Sequence, residues 1–208
     1  MKKFATIAGL MVAIVLGKPA HAANLIVNGD FSTPNEGGSW SIGPVPGWTD
    51  LNDTGVEVGA SSTYGLPSIS TNGQNLEVNA NTFGDVVQTV SGLTVGQTYN
   101  LSWYYGGRQG GGPQQLDVNF GGAPVTVDTG SFGVWTLNSF NVTATSASET
   151  LEFLSVNTAN LGGLPSYGNE VTNVSLTAAP GPNLGEGLLS FAVMSALLIG
   201  ARLRGLFV

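Results

Sequence analysis

The 208-residue chain has no cysteine, a single histidine and only six basic residues. No disulfide can form, and no thiol is present to act as a nucleophile or soft metal ligand. The histidine, His21, lies in the opening stretch MKKFATIAGLMVAIVLGKPAHA, where two lysines precede an apolar run from Phe4 to Gly17 and the small-x-small pattern Ala20-His21-Ala22. That arrangement marks residues 1–22 as a secretory signal peptide cleaved after Ala22. The apolar run is shorter than the about 20 residues a spanning helix needs, which sets this reading above its alternative, a retained N-terminal anchor. Cleavage would remove His21, Lys2, Lys3 and Lys18 together, leaving a body without imidazole, thiol or amine side chains. Those absences exclude Ser-His-Asp, Cys-His and Ser-Lys nucleophiles and the usual zinc and copper ligand sets. No cofactor is required. A structural metal would have to be a hard, oxygen-seeking cation, for which calcium is the natural choice outside a cell.

Positive charge is confined to the chain ends, with Arg202 and Arg204 near the C-terminus and Arg108 alone between Lys18 and Arg202. From Ala23 to about Pro180, twelve carboxylates stand against Arg108, a net charge of −11. Affinity for nucleic acid comes mainly from Lys and Arg neutralising phosphates, so nucleic acid is excluded as a partner. The length of this stretch suits one domain, 23–178.

The final stretch, APGPNLGEGLLSFAVMSALLIGARLRGLFV, is apolar and uncharged from Gly187 to Ala201 and closes on Arg202 and Arg204. It reads as a short transmembrane helix within 179–208 whose arginines stay inside. A C-terminal core helix is the alternative, but the run is apolar all round rather than striped. The proline-flanked junction, short apolar helix and terminal basic pair resemble the PEP-CTERM sorting tail, with Pro180-Gly181-Pro182 standing where that family has Pro-Glu-Pro. The resemblance implies an exosortase-like processing enzyme as partner, membrane attachment until processing, and export to the surface, outer membrane or matrix of a Gram-negative bacterium that makes exopolysaccharide.

Nothing in the body has a helical period. Short β-prone runs recur between Gly, Asn, Asp, Ser and Pro clusters: 24–31, 56–60, 75–80, 85–90, 98–105, 115–120, 124–129, 135–144, 150–156 and 170–176. This spacing predicts an all-β antiparallel sandwich, with Gly121-Gly122 as a hairpin turn. The pieces NLIVNGDF, VPGWT, NLEVNAN, DVVQTVSGLTVGQTYNLSWYYGGR and GNEVTNVSL, in that order, resemble a bacterial family of secreted galactose-binding-like jelly rolls related to carbohydrate-binding modules. The likeness covers nearly all of 24–178.

Strand alternation puts Tyr99, Leu101, Trp103 and Tyr105 on one face as core and leaves Tyr104 on the other. It likewise sends Leu76, Val78, Leu116, Val118 and Phe120 inward and Glu77, Asn79 and Asp117 outward. If these strands share a sheet, the outer face offers Tyr104, Glu77, Asn79 and Asp117 to a sugar, whose ring stacks on aromatics while its hydroxyls bond amides and carboxylates. An ordinary solvated sheet face has the same pattern. Arg108, within WYYGGRQGGG, has three readings: a forked donor to sugar hydroxyls or a uronic acid, a clasp on Glu77, Asp117 or Glu170, or a solvated side chain. The surrounding glycines form no phosphate cradle, since neither a Lys-Ser/Thr pair nor a helix follows. For calcium, TDLNDTG offers Asp50, Asn52 and Asp53, and the jelly-roll resemblance implies Asp30 and Glu170 near the joined termini. Plain turns have the same composition.

The function expected from these features is non-catalytic binding of carbohydrate, the producer's exopolysaccharide. The alternatives are an adhesive matrix protein without a ligand site and a hydrolase working through two carboxylates.

Overall fold

A computed structural model describes residues 22–52 and 55–180. The signal segment up to His21, the apolar tail from Gly181 and Asp53 lie outside the described residues, and among those described no helix is long and apolar enough to cross a membrane.

The described chain folds into eleven strands, β1 (Trp40–Gly43), β2 (Thr49–Asp50), β3 (Val56–Ala60), β4 (Gln74–Glu77), β5 (Asp85–Ser91), β6 (Thr98–Gly106), β7 (Leu116–Phe120), β8 (Ala123–Asp128), β9 (Trp135–Thr143), β10 (Ser148–Ser155) and β11 (Glu170–Ala178). Short 3₁₀ turns at Ser61–Tyr64 and Ala159–Leu161 are its helical content. Two sheets form, one of six strands in the order β1-β3-β4-β11-β6-β9 and one of five in the order β2-β5-β10-β7-β8. All strand pairs are antiparallel.

The core is made by the alternation the sequence displays. Tyr99, Leu101, Trp103 and Tyr105 of β6, Leu76 and Val78 in and just beyond β4, and Leu116, Val118 and Phe120 of β7 are all buried. The β4 and β6 residues meet those of β7 and Val86, Leu151 and Phe153 of the facing five-stranded sheet in one cluster. Trp103 packs edge-on to Phe153 at 5.9 Å between ring centroids and stacks on Phe140 at 5.8 Å, while its indole N–H donates to Asp128 Oδ2 at 3.0 Å. A buried indole thus has the polar partner it needs.

The segment 24–31, expected as a strand, is irregular. Asn28 and Phe31 take φ values of 51° and 52°, in the left-handed region that ends an extended run. The Gln88 side chain, instead of a neighbouring strand, serves the backbone of Val27, accepting from its N–H at 2.8 Å and donating to its carbonyl at 2.9 Å. On its other side Leu25 N–H donates to Leu176 of β11 and Gly29 accepts from Val174, so the segment laces one sheet to the other. β1 and β2 are too short for alternation to mark.

Candidate functional site

Register brings three glutamates side by side. Glu57 of β3 lies opposite Glu77 of β4, and Glu77 opposite Glu170 of β11; Glu170 in turn faces Gly106 of β6, which faces Trp135 of β9. The four side chains, Glu57, Glu77, Glu170 and Trp135, therefore project to the outward side of the six-stranded sheet, and Gly106 adds none. That side is not open here. Glu57 is 5% exposed and Glu77 and Glu170 are fully buried, because the loop 61–69 and the segment before β11 roof the row. This corrects the expectation that Glu77 and Asn79 face solvent. Asn79 is also buried, its side-chain carbonyl accepting from Asn169 Nδ2 at 3.0 Å.

The roof depends on local backbone chemistry. A Cβ at Gly59 would collide with the Tyr64 hydroxyl and with Trp40, so only glycine lets Tyr64 lie across β3 and donate to Glu57 Oε1 at 3.1 Å. Burial first, then the charges of Glu170, Glu57 and Glu77, push the Tyr64 phenol up, which keeps it a donor. Gly59→Ala is expected to destabilise the fold by about 1–3 kcal/mol, the usual cost of overpacking, as a lowered thermal midpoint. An unchanged midpoint would show that Tyr64 can move aside freely.

Arg108 is the cation of this site. Its Nη1 donates to Glu77 Oε1 at 2.8 Å and Oε2 at 2.6 Å, its guanidinium lies 3.8 Å from the Tyr167 ring centroid and 5.1 Å from that of Tyr64, and its side chain is 17% exposed. Both ionic bonds use Nη1, leaving Nε and Nη2 without a protein partner among the described residues. Burial works against the guanidinium's charge, but the bonds to Glu77 and its charge outweigh this and hold Arg108 above its ordinary value. Of the three readings, the clasp on Glu77 is the geometry found.

The glycine-rich loop after Arg108 is a sharp turn, with Gly110 and Gly112 at φ values of 84° and 68°. Gln114 locks it: its Oε1 accepts from the N–H groups of Arg108 at 3.0 Å and Asn169 at 2.9 Å, and its Nε2 donates to the Arg108 carbonyl at 2.9 Å. Asn169 extends the lock, accepting from the Tyr105 hydroxyl at 2.7 Å and donating to Ser155 at 2.9 Å. Neither Gln114 nor Asn169 was legible as a site residue, since an isolated amide carries no pattern. Tyr167, an aromatic in a Gly-Pro-Ser loop, is the one of the three whose residue type signals a site in the sequence.

The row carries more negative charge than one arginine balances. Burial and then the charge of Glu57 push Glu77 up to about 9, against the lowering bonds from Arg108 and Gly168. Burial and then Glu77 push Glu170 well above its ordinary value. The row thus holds a proton at neutral pH, and hydrogen bonding assigns it to Glu170. Glu77 is committed as an acceptor from Arg108 and from Gly168 N–H at 2.7 Å. Among the described residues Glu170 receives only Asn75 Nδ2, while its Oε1 and Asn75 Oδ1 are buried acceptors without partners. A proton on Glu170 turns one of these two into a donor.

The remaining expected residues lie apart. Tyr104, half-buried, stands on the outward face in register with Thr172 and Leu137. Asp117 belongs to the other sheet, opposite Leu154, so it cannot join Tyr104 in one site. Asp30 lines a shallow depression of about 410 Å³ with Asn24, Asn28 and Asn173, while Glu170 is sealed in the glutamate row. Asp50 Oδ1 accepts from the N–H groups of Asn52 at 2.9 Å and Asp85 at 3.2 Å, the bonds of a turn. Among the described residues no three acidic groups converge as a metal site.

No protein-family model matches the chain. It is similar to halomucin of Haloquadratum walsbyi, 28% identical over 181 residues, covering 82% of this chain but about 2% of halomucin's length. Its neighbours among solved structures include carbohydrate-binding modules. A CBM35 of Paenibacillus barcinonensis is 20% identical with a TM-score of 0.43, over 68% of this chain and 100% of that one. A family 35 module of Clostridium thermocellum is 11% identical with a TM-score of 0.45, over 68% and 99%. TmCBM61, in complex with β-1,4-galactotriose, is 12% identical with a TM-score of 0.49, over 76% and 100%.

Proposed function

We propose that the domain binds carbohydrate without transforming it, at the loop end where Arg108 surfaces. The observation that carries this reading is the pairing of Arg108 with Tyr167: a guanidinium braced from behind by Glu77 and stacked on a ring that is 39% exposed. Arg108 thereby keeps N–H groups that have no protein partner among the described residues on a side chain that is 17% exposed, held in place before any ligand arrives. Phe132, 49% exposed, lies beside the same loop, its ring against Gly107. Aromatic faces flanking a fixed planar donor suit a pyranose, whose apolar face stacks while its hydroxyls or a uronate carboxylate accept. A carboxylate-dependent hydrolase is disfavoured by the burial of the three neighbouring glutamates, which no substrate reaches beneath Tyr64 and the roof.

The chain's setting is part of the proposal. Export through the signal segment, sorting through the C-terminal tail by an exosortase-like enzyme, and residence at the surface or in the matrix place this site among the producer's own exopolysaccharides.

Isothermal titration of the full chain with neutral and uronate-bearing polysaccharides tests the reading. Tyr167→Ala should weaken binding roughly tenfold or more, since an aromatic stack on a base-sized ring contributes about 1–3 kcal/mol, and should lower the melt less than Arg108→Gln does, because the ion pair with Glu77 remains. Absence of binding to any glycan would overturn the proposal. Binding indifferent to Tyr167 would move the site elsewhere.

A further inference from the structure

Four strands end the two sheets, and three of them are blunted. β1 has four residues and β2 two, while β8 carries Pro124, a register shift against β7 and Asp128. Short length, proline, bulges and charge are the means by which edges avoid pairing with other chains. β9 has none of these. Its nine residues, WTLNSFNVT, contain no charge, no proline and no glycine, and pair in unbroken register with β6. On the far side, no backbone hydrogen bond engages residues 136–143 among the described residues.

From this we infer that β9 is the seam of a homodimer, pairing antiparallel with β9 of a second copy about a two-fold axis at Ser139. The strand is complementary to itself in that register. Ser139 meets Ser139, Leu137 meets Asn141 and Trp135 meets Thr143 on the outward face, with Asn138 opposite Phe140 and Thr136 opposite Val142 on the inner one. No pair sets like charges together, on a domain whose net charge of −11 would do so across most other contacts. The six-stranded sheets would join into one of twelve, and because each copy uses the same edge the assembly closes at two. A second observation falls beside the seam. An opening of about 240 Å³ between the sheets, lined by Phe120, Pro124, Val125, Phe140 and Val142, lies where the second copy would cover it. Phe140 and Val142 are only half-buried in the single chain. The two-fold would also set two Arg108 loops on one assembly.

Sedimentation of the full chain tests this, with Ser139 as the self-opposed position. The parent should form a two-chain species that strengthens with added salt, because screening relieves repulsion between two acidic bodies and the seam has no ion pair to lose. Ser139→Asp and Ser139→Lys should each be single chains, with melts close to the parent because the position is exposed and what each replaces is a solvent-exposed pair of bonds with Asn100. An equal mixture of the two should recover the two-chain species, which neither misfolding nor association through another segment would produce. A parent that stays a single chain, variants that still pair, or a mixture that does not recover would each overturn the dimer.

Discussion

Replacing Arg108 by glutamine is expected to cost the fold about 3–5 kcal/mol at neutral pH, the usual penalty for removing one partner of a buried ion pair. The reason is the row beneath it. Glu57, Glu77 and Glu170 are adjacent across three strands, almost wholly out of water, and Arg108 is the cation that reaches them. Glutamine keeps an amide donor for Glu77 but no charge, so the glutamates either repel in a medium of low polarity or take up further protons. The deficit should therefore shrink in acid, where protons replace the guanidinium, and grow above neutrality. Arg108→Lys should fall between the two, retaining charge while losing the flat contact of the guanidinium with Tyr167. Thermal melts of the three proteins at acid, neutral and alkaline pH would check this. A glutamine variant melting with the parent at neutral pH would mean that the row is solvated and the clasp does not hold it.

That clasp was legible in one respect. A single base among twelve carboxylates had to find a partner, and Glu77 was among the three named. Its surroundings were not legible, because alternation tells which side of a strand a residue takes but not what lies over that side. Alternation puts Glu77 opposite Leu76, as the structure has it, yet the covering loop comes from 61–69, and no local pattern couples those residues to β4. The same limit misplaced Asp117, whose face follows from its strand while its sheet follows from pairing with β8 and β10. Where periodicity suffices, as in β6 and β7, burial follows the sequence residue by residue. Where side chains replace the ladder, as Gln88 does for Val27, an apolar-looking run such as 24–31 reads as a strand and is not one.

The second large effect is on pH dependence. In the unfolded chain Glu77 and Glu170 titrate near 4.5, whereas folding raises both, and the pair, with Glu77 pushed up to about 9, keeps on Glu170 a proton that the unfolded chain has released by neutral pH. The folded protein therefore binds more protons than the unfolded one between these values. The stabilisation linked to that shared proton is fully present below about 4.5 and is lost as pH rises toward about 9. Asp85, pushed up to about 6 by burial and then by Glu152, acts in the same sense over a narrower range. Opposing this in stronger acid, bonds from the side chain and amide of Thr145 and the amide of Ser146 overcome burial and hold Glu149 below its ordinary value, so its contribution falls away as it protonates. The melting temperature should thus peak in mild acid and decline by several degrees or more toward pH 9, the reverse of a protein held together by exposed ion pairs. Glu170→Gln isolates the cause. The amide has the shape of the protonated acid, needs no proton, and can donate to Asn75 Oδ1 at every pH while its carbonyl accepts from Asn75 Nδ2. The variant should melt above the parent at alkaline pH, approach it in mild acid and show a flatter profile. If its profile keeps the parent's slope, the proton does not reside on Glu170, and Glu77→Gln, which would also disrupt Arg108, becomes the variant that carries the slope away.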